Sequence, residues 1–307
     1  MFTFRYHLVS LAAVFIALAL GILLGAAISG KLGDAEDALT KDRIDSLNEQ
    51  LSQERARTAN AERSNEATRQ VLEDAYPALM DQRLAGRGYA VLFLGPVDGE
   101  VRSAVERTLA DADAGSPVRL VALDTPLDPQ ALDDALNGDE ELARFAENDG
   151  DYDALGEALG RELVDGEGSP LWSALSGQLI EERTGATSGE VDGVVVVRSW
   201  TPPTDNGDSS EDPEAQATET LFEGLLTGIM GADVPLVGVE PSDAPISVVA
   251  DYTREGSSSV DNVDATAGRL ALALLLAGGQ PGHYGIKDSA TDGVIPPIQA
   301  VTTTTGG

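Results

Sequence analysis

The hydrophobic pattern of this chain changes period twice. Residues 8–28 read LVSLAAVFIALALGILLGAAI, twenty-one positions without a charge. As a helix that run extends ~32 Å at 1.5 Å per residue, about one hydrocarbon core. Residues 34–84 are sparsely apolar, rich in Ala, Glu, Gln, Arg and Leu, with Pro77 near the end and no glycine. That composition predicts a long helix. Ile44, Leu47 and Leu51, then Leu72 and Leu79, fall close to a heptad seam, which Glu54, Thr58, Asn65 and Thr68 make polar in the middle. The seam fits a weak parallel coiled coil, and the polar middle fits a single solvated stalk equally well.

Past Gly86 short β-branched runs alternate with helical stretches. Residues 89–94 (YAVLFL), 117–123 (PVRLVAL), 191–197 (VDGVVVV), 234–239 (VPLVGV) and 246–250 (ISVVA) are the predicted strands. Apolar strands separated by helices predict a mostly parallel sheet covered on both faces. Residues 265–277 close the domain as an apolar helix too short to span a bilayer. The polar stretch 201–214 is expected to be a mobile loop. The fold expected is therefore α/β: a transmembrane helix and a coiled-coil-like helical stalk, then a mostly parallel sheet domain. Its divisions are a cytoplasmic N-terminus at 1–7, a transmembrane anchor at 8–29, a stalk at 34–85, an extracytoplasmic α/β domain at 88–285 and a disordered tail at 286–307.

The apolar run is longer than the ~7–15 residues of a cleavable signal, which favours a retained anchor. Arg5 and His7 precede it, while Lys31, Lys41 and Arg43 follow among Asp34, Glu36, Asp37 and Asp42. The flanking charges nearly balance, so the orientation rests on the usual signal-anchor arrangement, with the short N-terminus inside. Across the predicted anchor Ala13, Ala17, Gly21, Gly25 and Ser29 recur at every fourth position. Such a stripe lets helix backbones approach in lipid and suits a homo-oligomer; common Gly and Ala alone would also produce it.

Charge changes the picture next. Fifty-two acidic residues against twenty basic ones give a net charge of −32, a field that repels phosphate backbones and makes nucleic acid an unsuitable ligand. Simple solvation, or a general bias toward acidic proteins, explains such a surface, as does cation binding. The absence of cysteine removes disulfides, thiolate metal sites and Cys nucleophiles. No phosphate-binding loop, nucleophile elbow or zinc-protease motif occurs, and the two histidines are His7 and His283. The chain is expected to be non-enzymatic and without a cofactor. Asp98, Asp124 and Asp251 each follow a predicted strand and could gather a hard cation at the sheet's carboxyl edge. Helix capping is the competing role for each. Asp205, Asp208, Glu211 and Asp212 lack the spacing of a calcium loop.

The N-terminal sequence MFTFRYHLVSLAAVFIALALGILLG resembles the start of the actinobacterial MctB-like family, whose members open on a near-identical segment. The stretch 260–273 (VDNVDATAGRLALA) and the motif Gly282, His283, Tyr284, Gly285 resemble the same family. The resemblance implies a copper transport or homeostasis role in the cell envelope, whether as a direct copper efflux component or as an envelope-assembly regulator. The latter would pair with another membrane protein to control peptidoglycan hydrolysis. Copper enters only through this resemblance. The residues themselves point to a single-pass membrane protein that self-associates and binds an envelope protein partner.

Overall fold

The computed structural model describes residues 3–146, 152–166, 168–201, 212–244, 247–249, 252 and 257–298. Residues 1–70 and 71–307 form two compact units. The first is helical. Helix α1, Thr3–Met80, runs without a break through the predicted anchor and stalk. Its window Val9–Ala26 has a mean hydropathy of 2.6, none of it buried, and is long and apolar enough to cross a membrane. Ile44, Leu47 and Leu51 are about half exposed on the stalk portion, which i,i+3 Arg–Glu pairs decorate.

The last turns of α1 belong to the second unit. Tyr76 and Met80 are buried there, and Leu72 and Leu79 pack against the same core. These two leucines, the C-terminal end of the predicted seam, are thus partly covered by the chain's own core. They lie on the stripe that the end of α1 turns toward the α/β domain, and helical periodicity alone cannot say which partner covers such a stripe. The Tyr76 hydroxyl donates to Asp111 (3.0 Å), and burial pushes its pKa up to about 12.

The second unit holds β1 (Tyr89–Leu94), α2 (Gly99–Asp111), β2 (Arg119–Leu123), α3 (Pro129–Asn137), α4 (Asp153–Asp165), α5 (Pro170–Ala174), α6 (Ser176–Leu179), β3 (Ile180–Gly185), β4 (Gly193–Arg198), α7 (Pro213–Met230), β5 (Leu236–Val239), β6 (Ser258–Val260), α8 (Thr266–Leu276) and β7 (His283–Tyr284). The strands form one open sheet in the order β3-β2-β1-β4-β5-β6-β7. All neighbours are parallel except the β2–β3 pair, which is antiparallel and carries a bulge. Along β1 alternate side chains serve opposite cores, as the period of two requires. Ala90, Leu92 and Leu94 face Leu159, Trp172 and Phe222 of one layer, whereas Tyr89, Val91 and Phe93 join Leu109, Leu272 and Met80 of the other. Each fully buried valine, leucine or phenylalanine among them contributes about 1.5–3 kcal/mol.

Three sequence expectations change. The described part of the predicted strand 246–250 is not a strand: Ser247 and Val248 are irregular and Val249 is helical. The Glu240 carboxylate accepts from the Ser247 hydroxyl and the Val248 amide (2.8 Å each), so this segment's polar groups are used locally instead of in a ladder. β3, β6 and β7 are strands that the apolar pattern did not reveal. The stretch expected to be a disordered tail is in part ordered. Lys287 reaches Glu240 at 2.7 Å, Asp292 holds the His283 amide at 2.8 Å, and Ile295 packs on the core, so residues 286–295 are part of the domain. Residues 299–307 and most of the polar stretch 201–214 lie outside the described residues.

Helices α4 and α7 meet at glycines. Gly156 and Gly160 of α4 lie against the Leu221 and Leu225 carbonyls of α7, and Gly224 and Gly228 of α7 lie against those of Asp153 and Glu157. At all four positions a Cβ would overlap the facing backbone.

Candidate functional site

An open α/β sheet presents its crevice at the carboxyl edge, where neighbouring strands send their helices to opposite faces. That point lies between β1 and β4: α2 covers one face after β1, and α7 covers the other after β4. A cavity of about 210 Å³ opens beside it. Its apolar lining is Val101, Val197, Val239 and Val248; Asp98, Arg198, Ser199 and Glu240 supply most of its polar groups.

Local structure fixes each of these groups. Asp98 caps α2, its Oδ1 accepting the amides of Glu100 (2.8 Å) and Val101 (3.0 Å). Arg198, at the end of β4, pairs with Glu219, donates to the Trp200 carbonyl (3.3 Å) and lies 5.7 Å above the Phe222 ring. The Ser199 hydroxyl donates to the Pro96 carbonyl (2.6 Å). Glu240, at the end of β5, is 3% exposed and neutralised by Lys287, whose Nζ also donates to the Pro241 carbonyl (2.9 Å). Arg198 and Glu240 were not singled out from the sequence. The available signal was a charge directly ending an apolar β run.

The predicted carboxylate trio is not assembled among the described residues. Asp98 works as a helix cap, and Asp124 is exposed with its amide donating to the Leu179 carbonyl (2.9 Å). Asp251 lies outside the described residues. No group of three or more His, Cys, Asp and Glu side chains is placed to hold a metal among those described.

The Gly282–Gly285 motif builds the last edge of the sheet. His283 and Tyr284 form β7, Ser259 pairing with His283 and Val260 with Tyr284. His283 Nδ1 lies 2.9 Å from the Ser259 hydroxyl, and Tyr284 is 1% exposed. The Asp292 carboxyl is held below its ordinary range, chiefly by the His283 amide it accepts. Buried Asp261 accepts the amides of Ile286 (2.8 Å) and Lys287 (2.9 Å). Gly285 sits at φ +149°, where a Cβ would strike the Asp261 carboxylate. Gly285→Ala is therefore expected to release this segment. In hydrogen exchange the Ile286 and Lys287 amides should lose protection while those of β1 keep theirs; unchanged protection at 286 and 287 would refute that account.

Comparison with known proteins gives one decisive match. The model of the family described as "Copper transport outer membrane protein, MctB" matches residues 1–295. The chain belongs to the MctB family. No curated protein matches the sequence.

For a copper-transport family the donor inventory of this MctB member is sparse. Cu(I) favours thiolate and thioether ligands and Cu(II) favours imidazole. The whole chain has no cysteine, two histidines and three methionines. Met80 is completely buried in the core, Met230 packs against the other core, and His283 Nδ1 faces Ser259. Among the described residues the switch-point cavity has no sulfur or imidazole in its lining. These residues do not fit a copper cage.

Proposed function

We propose that this MctB-family chain is a non-catalytic envelope component that supports copper transport by self-association and by engaging a protein partner, not by holding copper itself. In this reading α1 is a retained anchor in the cytoplasmic membrane, with the N-terminus inside and the α/β domain outside. The observation that carries the proposal is the unpartnered small-residue stripe. Ala13, Ala17, Gly21 and Gly25 lie on an exposed helix surface, and among the described residues nothing beyond the helix's own backbone and the adjacent residues comes within 4 Å of a Cβ built at Gly21 or Gly25. The contact of α4 with α7 uses the same glycine spacing to bring backbones together. In lipid, where no hydrophobic drive favours helix pairing, close approach is the principal source of association. The exposed Ile44, Leu47 and Leu51, at a heptad-like spacing farther along α1, support a second contact in the same assembly.

Replacing both Gly21 and Gly25 with Ile is expected to abolish association in a membrane two-hybrid or crosslinking assay while leaving insertion intact. Undiminished association sinks the proposal. The family description favours one other reading, a direct role in moving copper. Deletion of the gene with normal copper content and tolerance would count against both readings. A copper defect that Gly21→Ile/Gly25→Ile reproduces ties the phenotype to assembly.

A further inference from the structure

The cavity at the carboxyl ends of β4 and β5, beside the start of α2, is not needed for membrane association, and its chemistry narrows what can enter it. Its volume, about 210 Å³, is below the ~300 Å³ at which pockets for drug-sized ligands begin, so the occupant has few heavy atoms. Four valines form an apolar lining that suits a short aliphatic body.

The polar groups select the charge. In dinucleotide-binding sheets this position takes a phosphate on the free amides of a helix N-terminus. Here Asp98 occupies those first-turn amides with its own carboxylate, so an incoming anion would meet a like charge and spent donors. Arg198, the cation among the described lining residues, is engaged by Glu219 and the Trp200 carbonyl. A bare metal ion is equally unsuited, because Glu240 is already engaged by Lys287, Ser247 and the Val248 amide beside an apolar floor. Asp98 is different. It is exposed, and its two capping bonds both go to Oδ1, leaving Oδ2 without a bonded partner among the described residues. The net charge of −32 further raises the local concentration of cations.

We propose that this cavity binds a small organic ammonium ion, its aliphatic body on the valines and its N–H groups donating to Asp98.

The test uses the full-length protein in phosphatidylcholine nanodiscs, with n-butylamine, n-butanol and butyrate as probes in saturation-transfer NMR or calorimetry. Empty nanodiscs provide the blank. Butylammonium is expected to bind saturably and in preference to both other probes. Asn caps a helix as well as Asp does, so Asp98→Asn removes the charge without removing the cap. This variant should melt normally and bind butylammonium about tenfold more weakly, the loss expected for one charge-assisted hydrogen bond. Ala244→Phe, which fills the cavity, should remove binding of butylammonium and butanol together. The proposal is overturned by absence of saturable butylammonium binding, by equal affinity in Asp98→Asn, or by butyrate binding as tightly as the amine.

Discussion

Gly224→Leu is expected to prevent the α/β domain from folding, although leucine is ordinarily a far better helix former than glycine. Gly224 lies in the interior of α7, where its Cα meets the Asp153 carbonyl of α4, and Gly228 meets the Glu157 carbonyl one turn later. From the other side Gly156 and Gly160 meet the Leu221 and Leu225 carbonyls. The four glycines thus place two backbones in direct contact. A Cβ at Gly224 would have backbone for a neighbour, so no side-chain rotation relieves the overlap and the helices must part. Separating them opens the core that Leu159, Leu221 and Leu225 close. Gly224→Ala should lose about 1–3 kcal/mol by overpacking, more than its ~1 kcal/mol gain in helix propensity returns. Leucine should exceed about 4 kcal/mol, a large part of an ordinary domain's 5–15 kcal/mol. Both tryptophans of the chain, Trp172 and Trp200, lie in this domain, so near-ultraviolet circular dichroism of the full-length protein reports it selectively. Gly231→Ala is the control. Gly231 has φ −66° and open surroundings, its built Cβ no nearer than 3.5 Å to any atom, and alanine there should be neutral or slightly stabilising. A native-like spectrum and midpoint for Gly224→Leu would refute the packing account.

The glycine spacing illustrates what the sequence made legible. The four-residue recurrence of small residues was conspicuous at 13–29 because nothing but apolar residues surrounded it. The same spacing in α4 and α7 is embedded among acidic residues and leucines, where it passes for ordinary helix composition. Strands such as β1 and β4 could be read directly, because a parallel strand buried on both faces must be continuously apolar. β3 (IEERTG) could not, since an edge strand keeps charges on its open side as protection against pairing. β6 and β7 are three and two residues long, too short to carry a period. Residues 246–250 carried the β-branched signal, yet Glu240 captures Ser247 and Val248 locally. That competition depends on a contact between segments and leaves no trace in a window of sequence.

The site followed the same logic. Asp98 was visible as a strand-end carboxylate, and the structure gives it a capping role at the edge of a cavity. The family motif was visible as a string, but its meaning is conformational: Gly285 allows the chain to turn beneath Asp261. Leu72 and Leu79 fit a seam by their spacing, but such a stripe records only that something covers it, and part of that cover is the domain's own core.

Arg119→Met is the second large expected loss, and it tests a residue that the apolar run PVRLVAL should have flagged. Arg119 is on β2 and 2% exposed. Its guanidinium donates to the Leu163 carbonyl (2.6 Å), more distantly to that of Glu162 (3.5 Å), and to Gly189. Leu163 and Glu162 end α4, whose last carbonyls have no partner within the helix and carry the negative end of its dipole. Burial pushes the Arg119 pKa down, and Arg183 adds to that effect while Glu162 opposes it. Arginine tolerates such a downward push because its ordinary pKa is so high. Methionine fills similar volume and leaves the carbonyls without their donor, so the variant should lose about 3–5 kcal/mol. At ~2–4 °C per kcal/mol for a domain of this size, the melting temperature should fall by about 10 °C. Trp172 is a suitable reporter. Its amide accompanies that of Leu171 onto the Glu162 carboxylate, and its indole donates to the Leu159 carbonyl of the same helix (3.1 Å). A loss below about 1 kcal/mol in urea titration, at unchanged slope, would mean that water can replace the guanidinium at the end of α4.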